Sequence, residues 1–283
     1  MGSSREISVS LVADKVKELF VEANRTLGAD VRAVIEAARD AENSELGRWA
    51  FDQIVENIDV AARDSLPLCQ DTGLAVVFIE IGQDVHLVGG GLVEAVNDGV
   101  RRAYKEGYFR KSVCDPLSRV NTGDNTPAVI HVDIVPGGRL RLLVMPKGGG
   151  SENMSTMAML TPSDGVEGIK RYVVETVRRA GPNPCPPIIV GVGIGGSMEA
   201  AAIVAKKTLA RSPGRPNEKD PRLAALEREL LDDINALGIG AEGYGGTTTA
   251  LAVHVDMIPC HIASLPVAVN IQCHVARHRE III

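Results

Sequence analysis

At Leu74 the hydrophobic period of this chain changes, and that change limits the folds open to it. Upstream, apolar residues recur at helical spacing. Val12, Val16, Leu19, Ala23 and Leu27 mark one face, and Trp49, Ile54, Ile58 and Ala61 continue on a second segment after Ser44, a residue suited to a helix N-cap. The first 64 residues therefore read as helices, with core packing enough to explain their apolar faces. From Leu74 the run LAVVFIEIG reads as a strand, and residues 92–105 read as a helix. Residues 128–135 and 139–145 read as two more strands, separated by Pro136-Gly137-Gly138 in what looks like a hairpin turn.

Further on, residues 187–192 form a buried-strand run and residues 197–209 carry Ala and Lys at helical spacing. The polar break SPGRPNEKDP, a surface loop or a subdomain boundary, precedes a helix of PRLAALERELLDDINAL character. GIGAEGYGG, a strand candidate TTTALAVHV and a closing segment of small apolar residues around Cys273 complete the chain. The expectation is an α/β or α+β fold: N-terminal helices followed by mixed β-sheet flanked by helices, with the strand order open. One domain over residues 1–283 is expected, with a helical part over 1–64 and a mixed part over 65–283.

With 283 residues, 45% of them hydrophobic, the chain can bury a full core. No apolar run approaches the roughly 20 residues needed to span a bilayer. The N-terminal sequence MGSSRE lacks the basic and then apolar profile of a signal peptide, so a cytoplasmic location without membrane attachment is the expectation. A net charge of -6 and only 3% aromatic residues argue against nucleic acid as a partner. Five cysteines without a CxxC pair fit a reducing compartment, so a metal site would have to be assembled by the fold.

Three motifs carry chemistry. Gly191-Val192-Gly193-Ile194-Gly195-Gly196 satisfies GxGxxG between a strand and a helix, but the acidic second strand of a dinucleotide site does not follow. Its glycines can equally serve a tight turn and close packing. Lys147-Gly148-Gly149-Gly150-Ser151-Glu152-Asn153 mixes a cation with backbone donors and suits carboxylate or phosphate recognition, although taken alone it reads as a turn with a solvated lysine. Leu66-Pro67-Leu68-Cys69-Gln70-Asp71-Thr72-Gly73 sets a thiol, an amide and a carboxylate side by side. Alone it is equally an ordinary turn beside a small buried thiol.

In order along the chain, LPLCQDTG, VNTGDNTPA, KGGGSEN, PNPCPP, GVGIGGS and VNIQC resemble the alpha chain of class I fumarases and the related tartrate dehydratases over nearly the whole length. That resemblance implies a [4Fe-4S] cluster held by Cys69, Cys185 and Cys273 with one iron open, while Cys114 and Cys260 match no ligand. It further implies that Gln70 and Asp71 lie beside the cluster, Arg110 meets a substrate carboxylate, Gly148, Gly149 and Gly150 contact substrate with Asn153, and His261 lines the pocket. Asp71 becomes the candidate for proton handling, directly or by orienting another group, with a role in ordering the cluster loop as its alternative.

The implied activity is hydration of fumarate to L-malate, or dehydration of L-tartrate or a related dicarboxylate. The catalytic base and further basic residues would come from a separate beta subunit, in a heteromer with two copies of each chain. A nonenzymatic iron-sulfur sensor or assembly protein is the competing class. The apolar ending Ile281-Ile282-Ile283 is expected to pair with a partner or with another strand.

Overall fold

A computed structural model describes residues 5–283, so the reading of the first four residues falls outside the described part. In chain order the elements are β1 (Arg5–Ser8), α1 (Val9–Arg25), α2 (Ala29–Ala41), α3 (Glu45–Asp64), β2 (Leu74–Gly82), β3 (Val85–Val88), α4 (Leu92–Glu106), β4 (Val129–Val135) and β5 (Leu140–Lys147). The short α5 (Gly149–Glu152) leads to β6 (Thr156–Leu160), α6 (Gly165–Ala180), β7 (Ile188–Gly195), α7 (Met198–Thr208), α8 (Pro221–Asn235), β8 (Ala250–Ile258), β9 (Leu265–Gln272) and β10 (Arg279–Ile282). The fold is α/β with mixed sheets, as the sequence leads one to expect. Two compact units are each drawn from separated stretches. Unit 1 takes the residues up to Gly28, Val60–Gly149 and Arg277–Ile283, and unit 2 takes Ala29–Asp59 and Gly150–Ala276.

In unit 1 the four-stranded sheet has the order β10-β5-β2-β4. β2 is central because it has two buried faces to satisfy: Ala75, Val77 and Ile79 join the core with Leu140, Leu142 and Val144, while Val76 and Phe78 are buried on the other side. α1 and α4 close that core with Val12, Val16, Phe20, Val96, Val100 and Tyr104. Ser8 starts α1 by accepting the Ser10 N–H at 3.2 Å.

The hairpin expected at Pro136-Gly137-Gly138 does not form. β4 pairs parallel with β2 and β5 pairs antiparallel with it, so β2 lies between them. The turn instead closes over the end of β2, where Gln83 N–H donates to Val135 O and Asp84 N–H to Gly137 O. A strand as apolar as β2 gains more by pairing along both edges than its neighbours gain by pairing with each other. β10 pairs antiparallel with β5 and packs the half-buried Ile281 against the core, so the apolar ending joins another strand of the same sheet.

In unit 2 the sheet order is β6-β9-β7-β8. β7 pairs parallel with β8 and antiparallel with β9. Ile188, Val190, Val192 and Ile194 face a core built with α6 and α8. On the opposite face, a Cβ on Gly191 would lie 2.1 Å from Ala205 O and one on Gly193 2.1 Å from Ala201 O, so both glycines exist to let α7 lie directly on the strand. Ser44 does cap α3, its Oγ accepting the Gly47 N–H at 3.2 Å. Ile54 and Ile58 are buried, but Trp49, placed on their face by the sequence reading, is 51% exposed and meets Tyr244 edge to face at 5.8 Å. The SPGRPNEKDP break is a loop within unit 2 between α7 and α8, and Asp220 at its end caps α8 through the Arg222 N–H. No helix among the described residues is long and apolar enough to cross a membrane.

Candidate functional site

Unit 1 holds the LPLCQDTG segment as a loop between α3 and β2 whose main chain is bonded at Leu66 and Leu68 and again from Asp71 to Gly73. Leu68 N–H donates to Asn24 O at 2.8 Å. Thr72 Oγ1 donates to Arg110 O at 2.8 Å, and the buried Tyr104 hydroxyl lies 2.6 Å from Thr72 O and 3.0 Å from Gly73 O. Burial pushes the Tyr104 hydroxyl well above its ordinary pKa, so it stays a donor. Asn125, fully buried with φ +65°, donates to Gly73 O at 3.1 Å and accepts the Ser112 N–H at 2.7 Å, tying the segment that carries Arg110 to this loop.

Asp71 occupies the centre of the arrangement. Its Oδ1 accepts the Gly73 N–H at 3.0 Å and its Oδ2 accepts the Gly149 N–H at 2.7 Å. The loop therefore docks on the Gly148-Gly149 turn at the end of β5. Gly73 has φ +78°, and a Cβ there would lie 2.7 Å from the Lys147 main chain, so only glycine lets β2 begin at this point. Lys147 is fully buried, which corrects the reading of that turn as one with a solvated lysine. Cys69 is half-buried with its Sγ 3.8 Å from Gln70 Oε1, and Gln70 and Arg110 are exposed. Cys69, Gln70, Asp71, Arg110, Gly148 and Gly149 are thus gathered within unit 1.

Unit 2 gathers a second group. Cys185 lies just before β7 and Cys273 just after β9, and the antiparallel pairing of those strands, with Ile189 opposite Gln272, sets both thiols at one end of the sheet. Cys185 has φ +55°, a conformation an L-residue adopts only when its surroundings fix it. They do so here: His274 N–H lies 3.4 Å from Cys185 O, and His274 Nδ1 stands 3.1 Å from Cys185 O and 3.0 Å from Glu242 Oε1. None of the five cysteines is in a disulfide. Gly150 and the exposed Asn153 lie on the turn before β6, whose Glu152 pairs with Lys206 and accepts from Asn270 Nδ2 at 3.3 Å on the strand leading to Cys273.

His261 is the residue that unit 2 does not bring to its cysteines. It follows β8, at the end of the sheet where β7 finishes, so the length of the eight-residue β7, roughly 23 Å, runs between that end and the end that carries Cys185. Its side chain is exposed, with Nδ1 accepting the Ala263 N–H at 3.1 Å. Among the described residues no three His, Cys, Asp or Glu side chains are grouped to hold a metal ion. The GxGxxG match is not a phosphate loop, since Gly191 and Gly193 lie inside β7 with their Cα hydrogens against α7. Sequence reasoning missed Asn24, Tyr104, Asn125 and Arg277, which act on the loop through its main chain. Asn125 alone stood inside a recognised string, VNTGDNTPA.

A family profile described as fumarate hydratase (Fumerase) matches residues 13–282. The chain belongs to this family of hydro-lyases. Similar proteins include the putative L(+)-tartrate dehydratase subunit alpha of Methanocaldococcus jannaschii, 44% identical over 268 residues that cover 93% of this chain and 94% of that protein. The L(+)-tartrate dehydratase subunit alpha of Escherichia coli O157:H7 is 30% identical over 99% of this chain and 93% of its own length, and that of strain K12 is 29% identical over the same shares.

Proposed function

We propose that the chain is the alpha subunit of a hydro-lyase that adds water to, or removes it from, a four-carbon dicarboxylate, with a [4Fe-4S] cluster on Cys69, Cys185 and Cys273. The observation that carries the reading is the placing of two cysteines outside any disulfide at one end of the unit 2 sheet, one of them held at φ +55°. Buried structural cysteines do not need such backbone, whereas thiolate ligands are the usual holders of iron-sulfur clusters. With three thiolates and one iron open, such a cluster supplies a Lewis acid for a substrate oxygen.

The chain's own residues have separable parts. Arg110, exposed beside the cysteine loop, grips a substrate carboxylate with paired N–H donors. Both Asp71 oxygens already accept amide protons, which favours its role as the anchor that orders the loop over direct proton transfer. The Gly148-Gly149-Gly150 segment and Asn153 contact the substrate, with the Gly149 amide also engaged by Asp71. His261 is assigned to the lining of the substrate pocket, and it stands at the other end of the unit 2 sheet from Cys185 and Cys273.

Fumarate and L-malate are the principal substrate pair. L(+)-tartrate is the second reading, favoured by the names of the similar proteins. The word alpha in those names supports a separate partner subunit, and the proposal adds to it two copies of each chain and a catalytic base on the partner. Iron and sulfide analysis of the anaerobically reconstituted chain tests the centre. About four irons per chain are expected, lost in Cys69→Ala, Cys185→Ala and Cys273→Ala but retained in Cys114→Ala and Cys260→Ala. If all five variants keep their iron, the ligand assignment falls. With the partner present, parallel assays on L-malate and L(+)-tartrate decide the substrate by the larger kcat/KM.

A further inference from the structure

Arg277 is the largest fully buried side chain of the described residues, 1% exposed, and no carboxylate hydrogen-bonds to it. A guanidinium keeps its charge at any physiological pH, so a buried one marks a place where the fold needs its fixed fork of donors. Its Nη2 donates to the main-chain oxygen of Asp71 at 2.7 Å and its Nη1 to Asn24 Oδ1 at 3.1 Å. Asn24, also fully buried, is held in turn by donating to Phe20 O at 3.0 Å on α1. A Cβ built on Gly148 would stand 3.4 Å from Asp71 Oδ2 and 3.9 Å from Arg277 Nη2, so the cation and the carboxylate flank the same glycine.

The Asp71 residue is thus gripped at three atoms: its carbonyl by Arg277, and its two carboxylate oxygens by Gly73 and Gly149. We infer that Arg277 is a positioning residue for the Cys69-Gln70-Asp71 loop. Resting on the function proposed above, it fixes the loop's main chain from the buried side so that the thiol and the substrate-facing groups are set before substrate arrives. Preorganisation of this kind is felt in turnover more than in substrate affinity, because a displacement of about 1 Å can cost on the order of 100-fold in rate.

Two readouts test it, and one needs neither cluster nor activity. In the cluster-free chain, the rate of iodoacetamide labelling at Cys69, resolved by mass spectrometry, is measured with hydrogen exchange of the amides of residues 70–73. Arg277→Gln is expected to label at least about fivefold faster and to exchange faster at those amides, with Arg277→Lys between it and the parent. Asn24→Ala, which removes only the far anchor, moves in the same direction and serves if Arg277→Gln does not fold. In the reconstituted complex, kcat for the preferred dicarboxylate is expected to fall about 10- to 100-fold while KM changes less than about threefold, with partial recovery in Arg277→Lys. Parent-like labelling and exchange in the folded variants overturn the inference, as does faster labelling with unchanged kcat. An inactive parent complex would count against the proposed function alone, since the labelling arm still decides the loop.

Discussion

Single residues in this chain do their work through the main chain of others. Glu42 is the clearest case in unit 2. Burial pushes its carboxyl up, but the amides of Ser44, Thr247 and Thr248 outweigh that and hold it below the ordinary glutamate range. The folded-state pKa is lowered, so the stabilisation is complete above the unfolded pKa of about 4.5 and is lost as pH falls through the lower folded value. Glu42→Gln should cost about 1–3 kcal/mol at neutral pH and flatten the acid limb of the stability curve, as checked by urea melts between pH 7 and pH 3. For Asp71→Asn, an amide nitrogen would be turned toward the Gly73 or the Gly149 N–H. A loss of about 1–3 kcal/mol is expected there too, read by the same melts on the cluster-free chain.

Elements fall into those that announce themselves in sequence and those that do not. Gly191→Ala and Gly193→Ala, each driving a methyl to 2.1 Å from an α7 carbonyl, should cost about 1–3 kcal/mol or more by forcing α7 off the sheet, seen as a lowered urea midpoint. Removing residues 281–283 strips most of the pairing from the outer edge of β5 and should destabilise unit 1, which hydrogen exchange along β5 would report. β2, α4 and β8 were legible because their apolar period is unbroken over nine or more residues. β3, β6 and α6 received no sequence assignment. β3 and β6 have only four and five residues, and α6 opens on glycine and carries a polar run, although Ile169, Val173 and Val177 hold helical spacing. The β4–β5 error has a different origin: turn chemistry reports where the chain bends, not which strand lies beside it. The same limit governs the site, where Cys69 and Asp71 are visible in a motif but Arg277, an arginine of unremarkable context, is identified only by what its fork reaches.

At the scale of the whole molecule, each unit is stitched from stretches far apart in the chain, which no local pattern reveals. The strand pair β5–β10 shows what that means for a chain being made. Ile282 lies opposite Arg141, so at a ribosomal rate of about 5–20 residues per second β5 is synthesised roughly 7 to 28 s before its outer neighbour exists. Through that interval a buried strand of the finished protein presents an open edge to every other nascent chain in the polysome. Yield from fast, crowded expression should therefore be limited by strand-edge aggregation before β10 emerges.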